Sequence, residues 1–240
     1  MSILSIKNLT AETTDKTTVV NGVSMKVKPG EVHIIMGRNG SGKSSLVNTI
    51  MGHPKYHVTK GSVTLNKEDI LTLPPEERAR RGLFLSMQYV PQIEGITLVY
   101  FLHKVYSSLT GEVVPIMDFY AQALEIADEL GIPESLLKRP IHAGLSGGEK
   151  KQSEILQLHI LQPKFAFLDE VDSGMDITVM KKVFAGMQAL KKNGTALILI
   201  THYPEILKRL QPDAVHIMAG GKIIETGGSD LVKKIARHGF

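Results

Sequence analysis

Residues 37–44 read Gly-Arg-Asn-Gly-Ser-Gly-Lys-Ser, which fits the pattern G-x-x-x-x-G-K-[ST] of a phosphate-binding loop. The run before it, Val32–Met36, is short, apolar and β-branched, and residues 43–51 behind it have apolar residues at helical spacing up to Gly52. At average composition such a match arises by chance in roughly one chain in a hundred of this length. A strand before the loop and a helix after it make chance a weaker explanation. The pattern therefore predicts a nucleotide triphosphate site.

The loop offers several kinds of contact to a phosphate group. Glycines let backbone N–H groups point at phosphate oxygens, and the helix N-terminus adds partial positive charge. Lys43 would reach the β- and γ-phosphates, and the Ser44 hydroxyl would hold Mg2+. The residues expected to bind the nucleotide here are Gly37, Arg38, Asn39, Gly40, Ser41, Gly42, Lys43, Ser44 and Ser45.

The composition favours a globular protein of the cytoplasm. Of 240 residues, 42% are hydrophobic and 22% are charged, which is typical of a globular chain with a sizeable core. No apolar run approaches the length of a membrane span, and the first residues lack the features of a secretory signal, so no direct membrane insertion is expected. Because there is no cysteine, disulfides, thiolate metal sites and cysteine nucleophiles are excluded.

The charge pattern argues against direct nucleic-acid binding. The formal net charge is only +4, and the basic residues occur as dispersed pairs. A nucleic-acid surface usually needs a concentrated basic stripe with stacking aromatic residues. Solvated helix faces are the better explanation for the pairs, which are Arg80-Arg81, Lys150-Lys151, Lys181-Lys182 and Lys191-Lys192.

The N-terminal part of the chain reads as mostly β-structure. Alternating apolar and polar residues predict strands over 3–7 and 19–27. After the loop helix, residues 53–61 read as irregular, and only 62–65 are expected to form a short strand. Pro74 and Pro75 then open a helix that ends at Gly82, followed by a buried strand over 83–87.

The remainder predicts an α/β protein with a helical insertion. Helical spacing covers residues 98–109, 117–130 and 148–161, whereas β and α segments alternate from residue 164 onward. Such alternation implies a mainly parallel sheet with right-handed crossovers. We expect one domain with an N-terminal antiparallel β part, a core of residues 1–90 and 161–240, and a helical subdomain over about 91–160.

A second chemical feature is the apolar run at 164–168, which ends in Asp169 and Glu170. Ligands collect at the carboxyl ends of strands in open α/β sheets. Asp169 therefore suits the Mg2+ shell, and Glu170 is placed to orient or deprotonate the attacking water. An acidic pair at a strand end is common by itself, and it gains meaning from the phosphate-binding loop upstream.

The third feature is the segment 145–152, Leu-Ser-Gly-Gly-Glu-Lys-Lys-Gln. Ser146 with the amides of Gly147 and Gly148 would stand at a helix N-terminus, which suits a γ-phosphate. The alternative is a serine N-cap whose glycines merely open a helix. The segment resembles the LSGGQ signature of ATP-binding-cassette (ABC) ATPases, with Glu149 in place of the usual glutamine.

The resemblance to ABC ATPases extends over nearly the whole chain. Gln88 matches the Q-loop, the segment 173–176 matches the D-loop and His202 matches the switch histidine, in the order that the family requires. The resemblance implies that Gln88 contacts Mg2+ and takes part in catalysis, that Asp176 helps to bind nucleotide, and that His202 contacts the γ-phosphate or the water. The other histidines are expected to be structural.

Within ABC ATPases the chain looks most like the SufC family of the Suf iron–sulfur cluster assembly machinery. This resemblance is carried by the segments 142–157, 168–176 and 201–203, and by Val171-Asp172-Ser173-Gly174 where transporters tend to have proline and threonine. It implies SufB- and SufD-like partners. The alternatives are the ATP-binding subunit of a membrane transporter and, less well supported, an ABC protein acting on nucleic acid or ribosomes.

Two further expectations follow from the resemblance. The signature would complete the ATP site of a second copy, in a transient ATP-dependent homodimer. The stretch 88–97 contains Tyr89, Val90, Ile93 and Ile96 and would form a hydrophobic dock for the partner. The alternative is that these side chains pack onto the chain's own helical insertion. One departure concerns the base: residues 12–18 contain no aromatic side chain, although many transporter cassettes stack adenine on an aromatic residue in this region.

Overall fold

The structure, a computed structural model, describes residues 2–86, 95–141, 144–169, 177–201 and 210–232. The first elements are β1 Leu4–Thr13, β2 Thr18–Val27, β3 Val32–Met36, α1 Lys43–Met51, β4 Tyr56–Leu65, β5 Glu68–Asp69, α2 Pro75–Arg80 and β6 Leu83–Ser86. They are followed by α3 Leu98–Thr110, α4 Ile116–Glu129, α5 Glu134–Lys138, α6 Gly147–Leu161, β7 Phe165–Asp169, α7 Ile177–Lys192, β8 Ala196–Ile200, β9 Ala214–Ala219 and β10 Lys222–Gly227. No helix within these ranges is long and apolar enough to cross a bilayer.

The larger sheet has six strands in the order β10-β9-β3-β8-β7-β6. All neighbouring pairs from β9 to β6 are parallel, and only β10 runs antiparallel to β9. Strands β3, β7 and β8 are buried along their whole length because both faces of the parallel sheet are covered, one by α1 and a second sheet and the other mainly by α7. The prediction of an α/β fold with a mainly parallel sheet is confirmed.

The smaller sheet is antiparallel and has the order β2-β1-β4-β5. It confirms the predicted antiparallel β part, but the prediction of an irregular segment over 53–61 was wrong. Strand β4 already begins at Tyr56, and its first six residues are polar or exposed. Pairing with β1 from Thr10 to Thr13 holds this half of β4 in the sheet, so that hydrogen bonds to a neighbouring strand override the missing alternation.

Other differences concern short or half-exposed elements. β5 has two residues, α5 has five and β10 shows almost no burial, so none of them gives a strong periodic signal. Strand β10 depends on the turn at Gly220–Gly221, where both residues have positive φ. The predicted last residue of the β6 strand, Met87, lies outside the described residues.

Three clusters of buried apolar side chains form the interior. One lies between the antiparallel sheet, α1 and one face of the parallel sheet, and the second lies between the other face and α7. The third is built by residues 98–160 from α3, α4, α5 and α6. Helix α6 contributes to two of them, with Ile155 and Leu158 in the second cluster and Leu156 and Ile160 in the third. The exact domain boundaries stay a prediction.

A buried imidazole pair joins β3 to β9. His33 Nδ1 lies 3.0 Å from His216 Nε2, and the two rings stack with their centroids 5.2 Å apart. The outer nitrogens lie 3.2 Å from Glu31 Oε2 and 3.0 Å from Thr226 Oγ1. Burial, together with the facing His33, lowers the pKa of His216 to about 4. Burial also lowers the pKa of His33.

Acidification should therefore destabilise the fold through His216. The pKa of histidine is 6.5 without these effects and about 4 in folded His216, so the unfolded chain binds more protons in this window. This contribution to stability is complete above pH 6.5 and is lost as the pH falls to 4, at a cost of about 3 kcal/mol. Urea unfolding at a series of pH values measures it. His216→Gln should flatten the dependence, whereas His57→Gln, at an exposed position, should keep it. Equal slopes for the two variants would contradict the prediction.

Candidate functional site

Lys43, the first residue of α1, lies folded over the phosphate-binding loop. Its Nζ donates hydrogen bonds to the carbonyl oxygens of Gly37 at 2.8 Å and Arg38 at 3.0 Å, and lies 3.5 Å from Ser41 Oγ. The residue is only 6% exposed. A buried ammonium group held by backbone carbonyls is a fixed positive charge, which is what a phosphate chain at this loop needs.

Two glycines let the loop approach its neighbours closely. A Cβ on Gly37 would lie 2.2 Å from the carbonyl oxygen of Met218, and a Cβ on Gly42 would lie 2.5 Å from that of Val19. Gly42 also has a φ of +102°, which disfavours any other residue. A Cβ on Gly40, by contrast, would meet nothing within 4 Å, so this side of the loop is open.

The turn between β9 and β10 supports the loop from outside the motif. The amide of Gly221 donates to the carbonyl oxygen of Ser41 at 2.9 Å, and the amide of Asn21 on β2 donates to the carbonyl oxygen of Gly221 at 2.8 Å. The sequence motifs did not indicate this support. The Gly220–Gly221 pair is typical of a tight turn and was the only local signal for it. The loop and this hairpin line a cleft of about 520 Å³.

Strand order places Asp169 at the same edge of the sheet as the loop. β8 lies between β3 and β7, and Asp169 pairs with Ile200 at the carboxyl end of β8. The amide of Thr201 reaches the carbonyl oxygen of Ile35 on β3 at 3.4 Å. Asp169 is 4% exposed and Thr201 is fully buried. The structure thus aligns the end of β7 with the strand that feeds the phosphate-binding loop.

These residues fit a magnesium–nucleotide complex. The open side at Gly40, the fixed Lys43 ammonium and the N-terminus of α1 form a cradle for phosphate oxygens. The donor set at this edge is a hydroxyl, from half-buried Ser44, and a carboxylate, from Asp169. Oxygen ligands of this kind, few in number and completed by phosphate oxygens, are what Mg2+ takes in nucleotide sites.

The region expected to receive the base is the turn between β1 and β2. It is closed by a hydrogen bond from the Thr13 amide to the Thr17 carbonyl oxygen at 3.0 Å, and Val19 behind it packs on the loop at Gly42. The turn therefore lies beside the phosphate-binding loop, yet it offers no aromatic ring. Adenine would be held here without aromatic stacking.

The signature segment opens helix α6 with a capping box. Ser146 is the N-cap and its hydroxyl accepts from the Glu149 amide at 3.3 Å, while Glu149 Oε2 accepts from the Ser146 amide at 2.8 Å. Arg139 donates to Glu149 Oε1 at 2.6 Å. The bond from the Ser146 amide contributes most to the lowered pKa of Glu149. Glu149 therefore makes this helix start rigid, while Ser146 and Gly147 remain exposed to a ligand or partner.

Several predicted site residues fall outside the described residues. These are Gln88, Glu170, Asp176 and His202, together with Tyr89, Val90 and Ile93 of the expected dock. Their roles stay predictions. Their chain neighbours are described: Ser86 ends β6, Asp169 ends β7 and Thr201 follows β8. Lys43, Ser44 and Asp169 are thus placed by the structure, and so are Ser146, Gly147 and Gly148 at the start of α6.

Comparison with known proteins gives consistent matches along the chain. The family described as "ABC transporter" matches residues 20–173. "Vegetative protein 296" of Bacillus subtilis is 41% identical, with 100% of this chain and 92% of that protein covered. "Probable ATP-dependent transporter slr0075" of Synechocystis is 42% identical, covering 100% of this chain and 94% of that protein.

A solved structure shares the fold. A dimeric ATP-binding cassette in a post-hydrolysis state, bound to ADP and phosphate, superposes with a TM-score of 0.81. Its sequence is 19% identical, and the match covers 94% of this chain and 98% of that one. The predicted cassette fold, with its P-loop, parallel sheet and antiparallel β part, is thereby confirmed. On the strength of the family match and of relatives similar over the full length, the chain belongs to the ABC transporter family and is an ABC-type ATPase.

Proposed function

We propose that this ATPase uses ATP hydrolysis to drive iron–sulfur cluster assembly together with SufB- and SufD-like partners, in the cytoplasm. The observation that carries the proposal is the sequence around the site. Val171-Asp172-Ser173-Gly174 follows the acidic pair, and Gly148-Glu149-Lys150-Lys151 occupies the signature, as in Suf ATPases. With no cysteine in the chain, this subunit would supply motion and leave cluster ligation to its partners.

The proposed chemistry combines residues that the structure describes with Gln88, Glu170 and His202, whose roles stay predictions. Lys43 binds the β- and γ-phosphates, and the amides of residues 37–45 surround them at the start of α1. Ser44, Asp169 and Gln88 would hold Mg2+, which would supply positive charge against the negative charge that develops during phosphoryl transfer. Glu170 orients or deprotonates the attacking water, and His202 contacts the γ-phosphate or this water.

A complete site requires a second copy of the chain. Gly37 is locked against the β9–β10 hairpin, whereas Ser146 caps the helix that enters the third apolar cluster. The exposed Ser146 and Gly147 are free to meet the γ-phosphate held by another chain, and Asp176 joins the same contact. The dimeric cassette of similar fold gives this arrangement a precedent. We propose a transient head-to-tail homodimer that encloses two ATP.

An apolar groove beside β6 offers a docking surface for the partner. It measures about 400 Å³ and lies between α1, α2, β6, α3 and α6. Its apolar lining residues include Met51, Ala79, Phe84, Phe101, Val105 and Leu109. Because β6 leads directly to the Q-loop, a partner seated here would sense the state of the nucleotide. We propose this groove in addition to the dock expected at 88–97, which stays a prediction; the sequence did not indicate the groove.

Replacing Val105 and Leu109 with Asp should abolish partner binding. Both side chains lie on the groove face of α3, one helical turn apart. Removing two carboxylates from water costs free energy, and an apolar partner surface offers no hydrogen bond or charge to offset it. The variant should still bind ATP. Co-purification and titration with SufB- and SufD-like proteins measure the loss, which we expect to exceed about tenfold in affinity. Val113→Asp is the matched control, because Val113 is 94% exposed and lies outside the groove. Wild-type affinity in the double variant would remove the groove from the proposal.

The alternative function is that of an ATP-binding subunit on a membrane transporter. It is favoured by the name of the Synechocystis relative, which is called a probable ATP-dependent transporter. Purification of the untagged chain from native membranes and cytosol distinguishes the two. Soluble partners whose loss impairs iron–sulfur enzymes support the Suf role. An integral membrane permease bound to the wild type, and lost in the groove variant, would replace it with the transporter role.

A further inference from the structure

A buried polar network joins the signature helix to the end of β6. Glu154 on α6 accepts a hydrogen bond from the Ser86 hydroxyl at 2.5 Å, and Lys151 Nζ lies 3.1 Å from Glu154 Oε2. Ser86 is 2% exposed, Glu154 6% and Lys151 9%. A charged pair at this depth is unusual and needs partners for its remaining polar atoms.

The network stands where three functional elements meet. Ser86 is the last residue of β6 and pairs with Leu168, the residue before Asp169. Lys151 and Glu154 lie in the first two turns of α6, whose N-cap is Ser146. One cluster of three side chains therefore touches both the strand that leads to Gln88 and the helix that carries the signature, next to the strand that ends in Asp169.

We propose that Glu154 is a positioning residue for ATP hydrolysis. Paired with Lys151, it fixes the start of α6 to the end of β6. The signature segment of each chain is thereby held at a fixed position relative to the nucleotide-binding edge of the same chain. In a two-chain site this link couples one ATP site to the other, since the signature serves the partner's nucleotide. The inference rests on the proposed homodimer.

The packing around α6 explains why a polar anchor is useful there. Further along the helix, Ile155 and Leu158 pack on the second apolar cluster, and Leu156 and Ile160 pack on the third. Apolar contacts of this kind are non-directional and tolerate small shifts. A hydrogen-bonded ion pair has a strict geometry, and replacing one by apolar residues often preserves stability while removing that geometry. The role of the network is therefore separable from folding.

The test compares three variants in ATPase assays of the full chain. Lys151→Met with Glu154→Leu removes the network and keeps side-chain volume, and Ser86→Ala removes only the link to β6. The control, Lys138→Met with Glu134→Leu, removes an exposed ion pair on α5. We expect kcat to fall about tenfold in the first variant and about threefold in the second, with KM, ATP affinity and thermal unfolding unchanged. The control should retain wild-type kcat.

The outcomes separate this proposal from the dimer on which it rests. A kcat within twofold of wild type in both network variants would overturn the role of Glu154. So would a fall in kcat that is matched by an equal loss of ATP affinity or by a lowered unfolding temperature. If the first variant fails to fold, Ser86→Ala decides by the same criteria. Light scattering of Glu170→Gln with Mg-ATP tests the dimer itself, because a monomer there contradicts the two-chain site irrespective of the network.

Discussion

Replacing Lys43 with Ala should abolish ATP binding, with affinity falling at least about a hundredfold and hydrolysis falling with it. The Lys43 ammonium is buried and held by the carbonyl oxygens of Gly37 and Arg38, which keep its charge at the loop where a phosphate would accept charge-assisted hydrogen bonds. A hundredfold loss corresponds to about 3 kcal/mol, which is the range for one or two hydrogen bonds to a charged group. Isothermal titration with Mg-ATP measures it.

Two controls make the Lys43 result specific. Lys192→Ala removes an exposed lysine at the end of α7 and should leave affinity and turnover unchanged. Lys43 also donates hydrogen bonds to carbonyl oxygens within the loop, so its removal could disturb the fold. Circular dichroism and thermal unfolding of Lys43→Ala must therefore show an intact fold. Unchanged affinity together with unchanged turnover in the Lys43 variant would exclude the loop as the ATP site.

Replacing Glu170 with Gln should slow hydrolysis at least about a hundredfold while ATP binding is kept. A carboxylate that orients or deprotonates water contributes a factor of this size, and the amide keeps the shape without the basicity. Glu170 follows Asp169, which lies at the same edge of the sheet as the phosphate-binding loop. Single-turnover hydrolysis and nucleotide titration separate the two quantities. Near-normal turnover would transfer the role to another group, with His202 the next candidate.

The same variant should trap the homodimer. If hydrolysis opens the two-chain site, a chain that binds ATP without cleaving it remains closed. Light scattering of Glu170→Gln should then give twice the monomer mass with Mg-ATP and the monomer mass with Mg-ADP. Ser146→Asp in this background should prevent dimer formation, since a carboxylate facing a γ-phosphate is repelled. A monomer at every protein concentration, even with partners added, would contradict the proposed assembly.

The local structure around the candidate site could be predicted from the sequence because its signals are local. The phosphate-binding loop, the apolar strand before Asp169 and the Ser146 cap each depend on residues within one or two turns of chain. Backbone propensity, the periodicity of apolar residues and helix capping all act over that distance. The structure has β3, α1, β7 and the start of α6 at the predicted places. The alternation of strands and helices after residue 164 likewise predicted the parallel sheet.

The tertiary structure decided what depends on chain segments far apart in sequence. Residues 56–61, which are polar or exposed, form a strand because β1 lies alongside them. The phosphate-binding loop is supported by the amide of Gly221, and Glu154 meets Ser86 across 68 positions of sequence. The pKa values of His33 and His216 are lowered because strand order buries the two rings together. Such contacts depend on register and strand order, which no local pattern specifies. The motif residues differ, because they lie at the carboxyl ends of strands, and the alternation of strands and helices already implies that these ends share one edge of the sheet.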